Sequence, residues 1–175
     1  MYEKPVGVIN VYIDGSCRGN GTSNARAGYG IYYQRHHPNN ASIPLDKVDN
    51  LHLNRPTNQR AELFALRHAL RDARKFAKQD VEVRIYTDSM YVKNCMEVWI
   101  HKWSKNNWKN VKGETVANKQ LIQEVYRTYA SICKGYSIRH WNRFQIIHVA
   151  GHSGNDGNDA ADELANRACE ECGTY

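Results

Sequence analysis

Three β-rich runs follow one another in the first third of the chain before any helical periodicity begins. Val8 to Asp14 is rich in β-branched and aromatic residues and ends in Asp-Gly, a turn signal that seats Asp14 at the strand's edge. A Gly-Asn-Gly stretch leads to a second strand, Ala27 to Gln34, so the two form a hairpin. A weaker third strand is expected near Val48 to Leu53, after a polar loop with His36, His37 and Pro38. Consecutive strands without a helix between them point to an antiparallel meander.

The pattern then changes. Pro56-Thr57-Asn58-Gln59 is a helix-start signal, and the run to Lys78 places Leu63, Leu66, Ala69, Leu70, Ala73 and Ala77 on one apolar face. Val81 to Thr87 reads as a short strand, and Asp88-Ser89 stops it and starts a helix to about Val98. Asn118 is expected to cap a helix to about Cys133, with a polar loop from Lys134 to Arg143 and a last strand from Phe144 to Val149. Between the helices, Trp99, Trp103 and Trp108 lie among Lys102, Lys105, Lys109, Lys112 and Lys119, opposed only by Glu114, and read as a basic aromatic protrusion.

No repeat, linker or low-complexity tract divides the 175 residues, so one domain over 1–175 is expected, large enough to hold its own core. A net charge of +6 points to a polyanionic partner. Nucleic acid ranks ahead of membrane, because the sequence has no long apolar run and no amphipathic basic helix. Cys17, Cys95, Cys133, Cys169 and Cys172 make an odd number without a secretory signal, which suits reduced thiols in an intracellular, reducing compartment. Cys169 and Cys172 form a lone C-x-x-C, read as helical surface cysteines rather than a zinc site. The glycosylation patterns at Asn20 and Asn40 are expected to stay unmodified.

The densest chemistry is at His148 to Arg167, where a strand runs through a Gly-rich loop holding His152 into a helix with Asp159, Asp162 and Glu163 in its opening turns. The helix dipole accounts for acids at such a position. Yet carboxylates recur at other element ends: Asp14 after the first strand, Glu62 early in the first helix, Asp88 after a later strand. Each alone has an ordinary explanation as a turn, helix-start or capping acid. The set carries the argument, because sites in open α/β sheets gather beyond the carboxyl ends of strands.

Four ordered motifs, Asp14-Gly-Ser, Thr57-Asn-Gln-Arg-Ala-Glu62, Thr87-Asp88-Ser-Met and Val149-Ala-Gly-His-Ser-Gly-Asn-Asp-Gly-Asn-Asp-Ala-Ala-Asp162, resemble the signatures of type I ribonuclease H. The resemblance covers nearly the whole chain and is closest to the eukaryotic branch. It implies a mixed α/β fold: a five-stranded sheet, three antiparallel strands followed by parallel ones, flanked by helices and carrying a basic handle at the protrusion. It also chooses between Asp159 and Asp162, which spacing leaves open on one helix face; the family pattern picks Asp162.

The implied activity is endonucleolytic hydrolysis of the RNA strand of RNA–DNA hybrids, leaving 5′-phosphate and 3′-hydroxyl ends. In-line hydrolysis of a phosphodiester needs charge stabilised on both attacking and leaving oxygens, and two divalent cations roughly 3.5 to 4 Å apart do this. Hard carboxylate ligands suit Mg²⁺, with Mn²⁺ as the alternative. By resemblance Asp14 bridges the two ions, Asp162 helps hold the one beside the water, Glu62 and Asp88 hold the other, and His152 moves a proton or assists product release.

The same resemblance gives Asn20, Asn58 and Gln59 to the RNA strand in the minor groove, where amides can both donate and accept. It gives Arg55, Thr57 and Asn118 to a pocket for a DNA-strand phosphate, and Tyr91, Trp99 and Trp103 to a channel for the DNA strand. Turn, cap and core-packing roles are the structural alternatives for these residues. Lys102, Lys105, Lys109 and Lys112 add affinity without reading sequence. A monomer is expected, and whether the chain is a catalytic fragment of a longer protein with the hybrid-binding domain of many eukaryotic members or a minimal version is left open. The segments 35–47 and 131–143 look longer than compact members need and receive no role. A transposase or integrase core is disfavoured by Glu62 and the Gly-His-Ser-Gly loop; a binding-only module is disfavoured because concentrated negative charge gains it nothing against phosphates.

Overall fold

The computed structural model describes residues 3–173, so the two ends of the expected 1–175 domain lie outside the described residues. One five-stranded sheet organises them, in the spatial order β3-β2-β1-β4-β5. β1 (Gly7–Arg18), β2 (Arg26–Tyr32) and β3 (Ala41–Pro44) pair antiparallel, while β4 (Val81–Thr87) joins β1 in parallel and β5 (Ile146–His148) joins β4 in parallel. This is the mixed sheet the resemblance implies.

Alternation along β1 sorts the two faces. Val11 and Ile13 face the core beneath α1 (Asn58–Ala77), whose Leu63, Leu66, Ala69 and Leu70 are fully buried. Each such leucine contributes about 1.5–3 kcal/mol by burial. α4 (Lys119–Ile138) packs beside α1 through Ile122 and Val125. On the other face α5 (Asp156–Glu171) lies close against β1 and β2, because Gly28 and Gly30 leave no side chain between strand and helix. α2 (Met90–Asn94), a π-helical segment Cys95–Trp99 and α3 (Ile100–Lys105) form one continuous helical run. Beyond it, Lys109 and Thr115 bridge the base of the protrusion. No helix among the described residues is long and apolar enough to cross a membrane.

Several expectations need correction. Asp14-Gly15 is not a turn: β1 continues to Arg18, pairing Asp14 with Gly30 and Gly15 with Tyr29. The third strand is Ala41–Pro44 rather than Val48 to Leu53. There the side chains of Asp49 and Asn50 accept the backbone N–H groups of Asn50 and His52, closing turns instead of a ladder. Residues 131–138 are the last turns of α4 and not part of a polar loop, with Ile132 and Tyr136 buried and the Tyr136 ring packed on Trp141 and Phe144. Asn118 is the N-cap residue of α4, its carbonyl accepting the Ile122 N–H at 2.9 Å, but its side chain makes no capping hydrogen bond. Cys169 and Cys172 are buried, not surface thiols, and the Cys169 thiol donates to the Arg26 carbonyl at 2.9 Å.

Candidate active site

The parallel pairing of β1 with β4 ends at Ile13 and Thr87, so the next residues, Asp14 and Asp88, emerge side by side. Glu62, in the second turn of α1, reaches the same point because Gly15 presents no side chain and its backbone lies against Glu62. Asp14, Glu62 and Asp88 each offer a carboxylate oxygen within 4.8 Å of the others. Asp162, one turn further into α5 than the exposed Asp159, is close enough to Asp14 to hydrogen-bond it. Four carboxylates from four elements thus meet at one end of the sheet.

Their electrostatics are unfavourable without a cation. Asp14 is 5% and Glu62 4% exposed. Burial first, then Asp88 and Asp162, pushes the Asp14 carboxyl from an ordinary 3.8 up to about 8. Burial, then Asp14 and Asp88, raises Glu62 well above the usual carboxylate range, and the Gly15 backbone N–H offsets part of both shifts. Glu62 Oε2 is buried with no hydrogen-bond partner. Oxygen-only donors, an orphaned buried carboxylate oxygen and mutual repulsion together fit a hard divalent cation, which satisfies the oxygen and relieves the repulsion.

Amides that sequence reading missed brace this cluster. Asn158, 3% exposed, points Nδ2 at Asp88 Oδ2 from 3.5 Å. Asn166 donates Nδ2 to Asp162 Oδ2 at 3.2 Å, and Ser16 Oγ donates to Asn166 Oδ1 at 2.8 Å. Both asparagines stand four residues from Asp162 on α5, a spacing that puts them on its face and was the available signal. His152 is exposed, with a left-handed backbone (φ 53°), on the loop whose Gly151 lies against the Asp88 carboxylate. The structure brings His152 near the cluster without a contact to it.

The expected substrate residues gather around the same end. Asn20 Oδ1 accepts the Asn58 N–H at 3.3 Å, joining the β1–β2 turn to the start of α1, where Gln59 is exposed. Thr57 is the N-cap of α1, its Oγ1 accepting the Arg60 N–H at 3.1 Å. Arg55 and Asn118 line a cleft of about 800 Å³ between α1 and α4 that also holds Arg60, Thr115 and Lys119; Thr57 lies outside its lining. Tyr91, Trp99, Trp103 and Trp108 form an aromatic row with centroids 6.0, 5.7 and 5.5 Å apart. Trp99 and Trp103 serve packing and surface together: each packs partly on the core, and with Lys102, Lys109 and Val111 they line an apolar groove. Lys102, Lys105, Lys109 and Lys112 are all exposed around it.

Comparison with known proteins agrees with this arrangement. Residues 7–170 match the RNase H family. Ribonuclease H1 of Mus musculus is 37% identical over 163 residues, covering 93% of this chain and 50% of that protein, so the chain spans about half the length of this relative. Ribonuclease H of Clostridium botulinum is 33% identical over 166 residues, covering 93% of the chain and 96% of that protein. The solution structure of the PFV RNase H domain superposes with a TM-score of 0.65 at 24% identity, over 94% of this chain and 96% of that one, and shares the fold. With one sheet order, four converging carboxylates and a family match over nearly its whole length, the chain belongs to the RNase H family.

Proposed function

We propose that this chain hydrolyses the RNA strand of RNA–DNA hybrids endonucleolytically, leaving 5′-phosphate and 3′-hydroxyl ends. The observation that carries the reading is the convergence of Asp14, Glu62, Asp88 and Asp162 from four separate elements beside a basic aromatic surface. Asp14, Glu62 and Asp88 would hold one divalent cation and Asp14 with Asp162 a second, with Mg²⁺ favoured and Mn²⁺ the alternative. When bound, such a pair stabilises the charge on attacking and leaving oxygens of an in-line displacement.

The chain's own residues supply the rest. Asn166 and Asn158 aim the carboxylates. His152, on its exposed loop, assists proton transfer or product release. Asn20, Asn58 and Gln59 sit where amides can meet the minor-groove hydroxyls of an RNA strand. Arg55, Thr57 and Asn118 grip a DNA-strand phosphate, and Tyr91, Trp99 and Trp103 pack on deoxyribose faces. Lys102, Lys105, Lys109 and Lys112 supply non-specific attraction to the duplex. A reducing compartment suits the five unpaired cysteines.

The deciding experiment incubates end-labelled RNA–DNA hybrid, duplex RNA and duplex DNA with the protein in Mg²⁺ or EDTA. Metal-dependent cleavage confined to the RNA of the hybrid is expected, and Asp88→Asn should abolish it while hybrid binding persists. Cleavage in EDTA, or full activity of Asp88→Asn, would overturn the proposal.

A further inference from the structure

The segment 48–54, which forms turns where a strand was expected at Val48 to Leu53, delivers a buried acid side chain to the cleft between α1 and α4. Asp49 Oδ2 accepts from Arg60 Nε at 2.7 Å and Asp49 Oδ1 from Arg60 Nη2 at 3.1 Å, a two-pronged pair. The same Oδ1 accepts from the Asn50 backbone N–H at 3.0 Å and from Asn54 Nδ2 at 3.1 Å. The side chains are 11% and 6% exposed for Arg60 and Asp49, so the guanidinium is held rigidly and its charge is matched. Its remaining prong, Nη1, donates to Asn118 Oδ1 at 3.1 Å.

That last bond decides which end of the Asn118 amide is free. A guanidinium has donors only, so the atom facing it must be the amide oxygen. Nδ2 is then turned away from Arg60 and donates one N–H to the Tyr91 hydroxyl at 3.5 Å, which leaves the second N–H of the amide for a ligand. A flipped amide would offer an acceptor to a phosphate and repel it. The backbone adds to the constraint, since Asn118 is held left-handed at φ 63°.

We infer that Arg60, locked by Asp49, is a positioning residue that sets the Asn118 amide with its second N–H toward a backbone phosphate of the DNA strand, without itself contributing net charge there. This rests on the reading of Arg55, Thr57 and Asn118 as a phosphate pocket.

The test uses the 175-residue chain on RNA–DNA hybrids in which one DNA linkage at a time is an uncharged methylphosphonate. The variant Asp49→Leu with Arg60→Met removes the pair while leaving the net charge at +6, because one unit of each sign is removed. Apolar replacement of a buried ion pair is commonly tolerated by the fold, and thermal melting checks this. Its KM should rise about tenfold, the loss of one hydrogen bond to a charged group, with kcat within about twofold. Arg60→Lys keeps the charge without the fork and should show a smaller rise in KM; it serves alone if the double variant does not fold. On the methylphosphonate hybrid that most weakens the wild type, variant and wild type should have equal KM.

The failures are distinguishable. If neither Asn118→Ala nor any methylphosphonate position alters KM, the phosphate pocket itself is refuted. If those two changes weaken binding but removal of the Asp49–Arg60 pair does not, the positioning role is refuted. A KM penalty that persists on the uncharged linkage also overturns it, because the pair would then act on the fold and not through the amide.

Discussion

Gly15 lies directly against the backbone of Glu62: a Cβ placed on it would sit 2.5 Å from the Glu62 nitrogen and 2.8 Å from the Ala61 carbonyl carbon. Both neighbours are main-chain atoms in the second turn of α1, which no side-chain rotation relieves. The absence of a side chain here lets a carboxylate from α1 stand beside one from β1. Gly15→Ala should therefore destabilise the fold by about 1–3 kcal/mol, as overpacking does, and push Glu62 away from Asp14. Hydrolysis measured well below the melting temperature should fall by more than the loss of folded protein accounts for. Activity that merely tracks the folded fraction would show that the spacing of the two acids is unimportant.

The bond from Asn166 to Asp162 Oδ2, itself steadied by Ser16, holds a carboxyl that also meets Asp14. Removing such support for a metal ligand typically costs about 10–100-fold in metal affinity or activity. Asn166→Leu should weaken Mg²⁺ binding, measured by calorimetry without substrate, while hybrid binding in EDTA is retained. Unaltered Mg²⁺ affinity would assign the Asn166 bond to helix packing alone.

Stability should depend on pH in an unusual direction for an acidic group. Asp14 titrates near 8 in the folded chain against an ordinary 3.8, so between these values the native state keeps a proton that the unfolded chain has released. Its contribution is complete below the ordinary value and disappears as pH rises through about 8. In EDTA the melting temperature of the wild type, taken relative to Asp14→Asn, should fall from mildly acidic to mildly alkaline pH. Added Mg²⁺ competes with those protons, so the rise in melting temperature it produces should grow over the same range. A flat difference between the two proteins would mean that Asp14 is ionised throughout.

The lysines of the protrusion should act by charge. Lys105, Lys109 and Lys112 are exposed. Their neutralisation to Gln should raise KM for the hybrid and flatten the dependence of log KM on log salt by about one unit for each phosphate no longer neutralised. Initial rates across a salt series measure this directly. An unaltered slope would make these lysines an ordinary solvated face.

Much of this was legible from residue order alone. The helix start at Thr57, the strand Val81–Thr87 ending beside Asp88 and the apolar face of α1 follow from local chemistry: a capping hydroxyl, β-branched residues, and 3.6-residue spacing. The four acids could be singled out because residue order puts each near an expected element boundary, although Asp14 stands within β1, which runs on to Arg18, and choosing Asp162 over Asp159 needed family resemblance. The errors share one cause. Asp14-Gly15 resembles a turn, Val48 to Leu53 a strand and the Asn118 side chain a cap, and each reading weighs only near neighbours. What overrode them came from far along the chain: α1 against Gly15, Ser42 and Ile43 pairing with β2, and Arg60 claiming the Asn118 oxygen.

The sequence by itself determined the order of strands and helices, the family and the identity of the acids, because periodicity and motif chemistry are local properties. Only the tertiary structure decided which groups touch. The raised pKa values of Asp14 and Glu62, the Asn166 brace on Asp162 and the Asp49–Arg60–Asn118 chain exist because elements distant in sequence are pressed together. Burial and proximity, the two quantities that set the strength of a charge or a hydrogen bond, are not properties of any single segment.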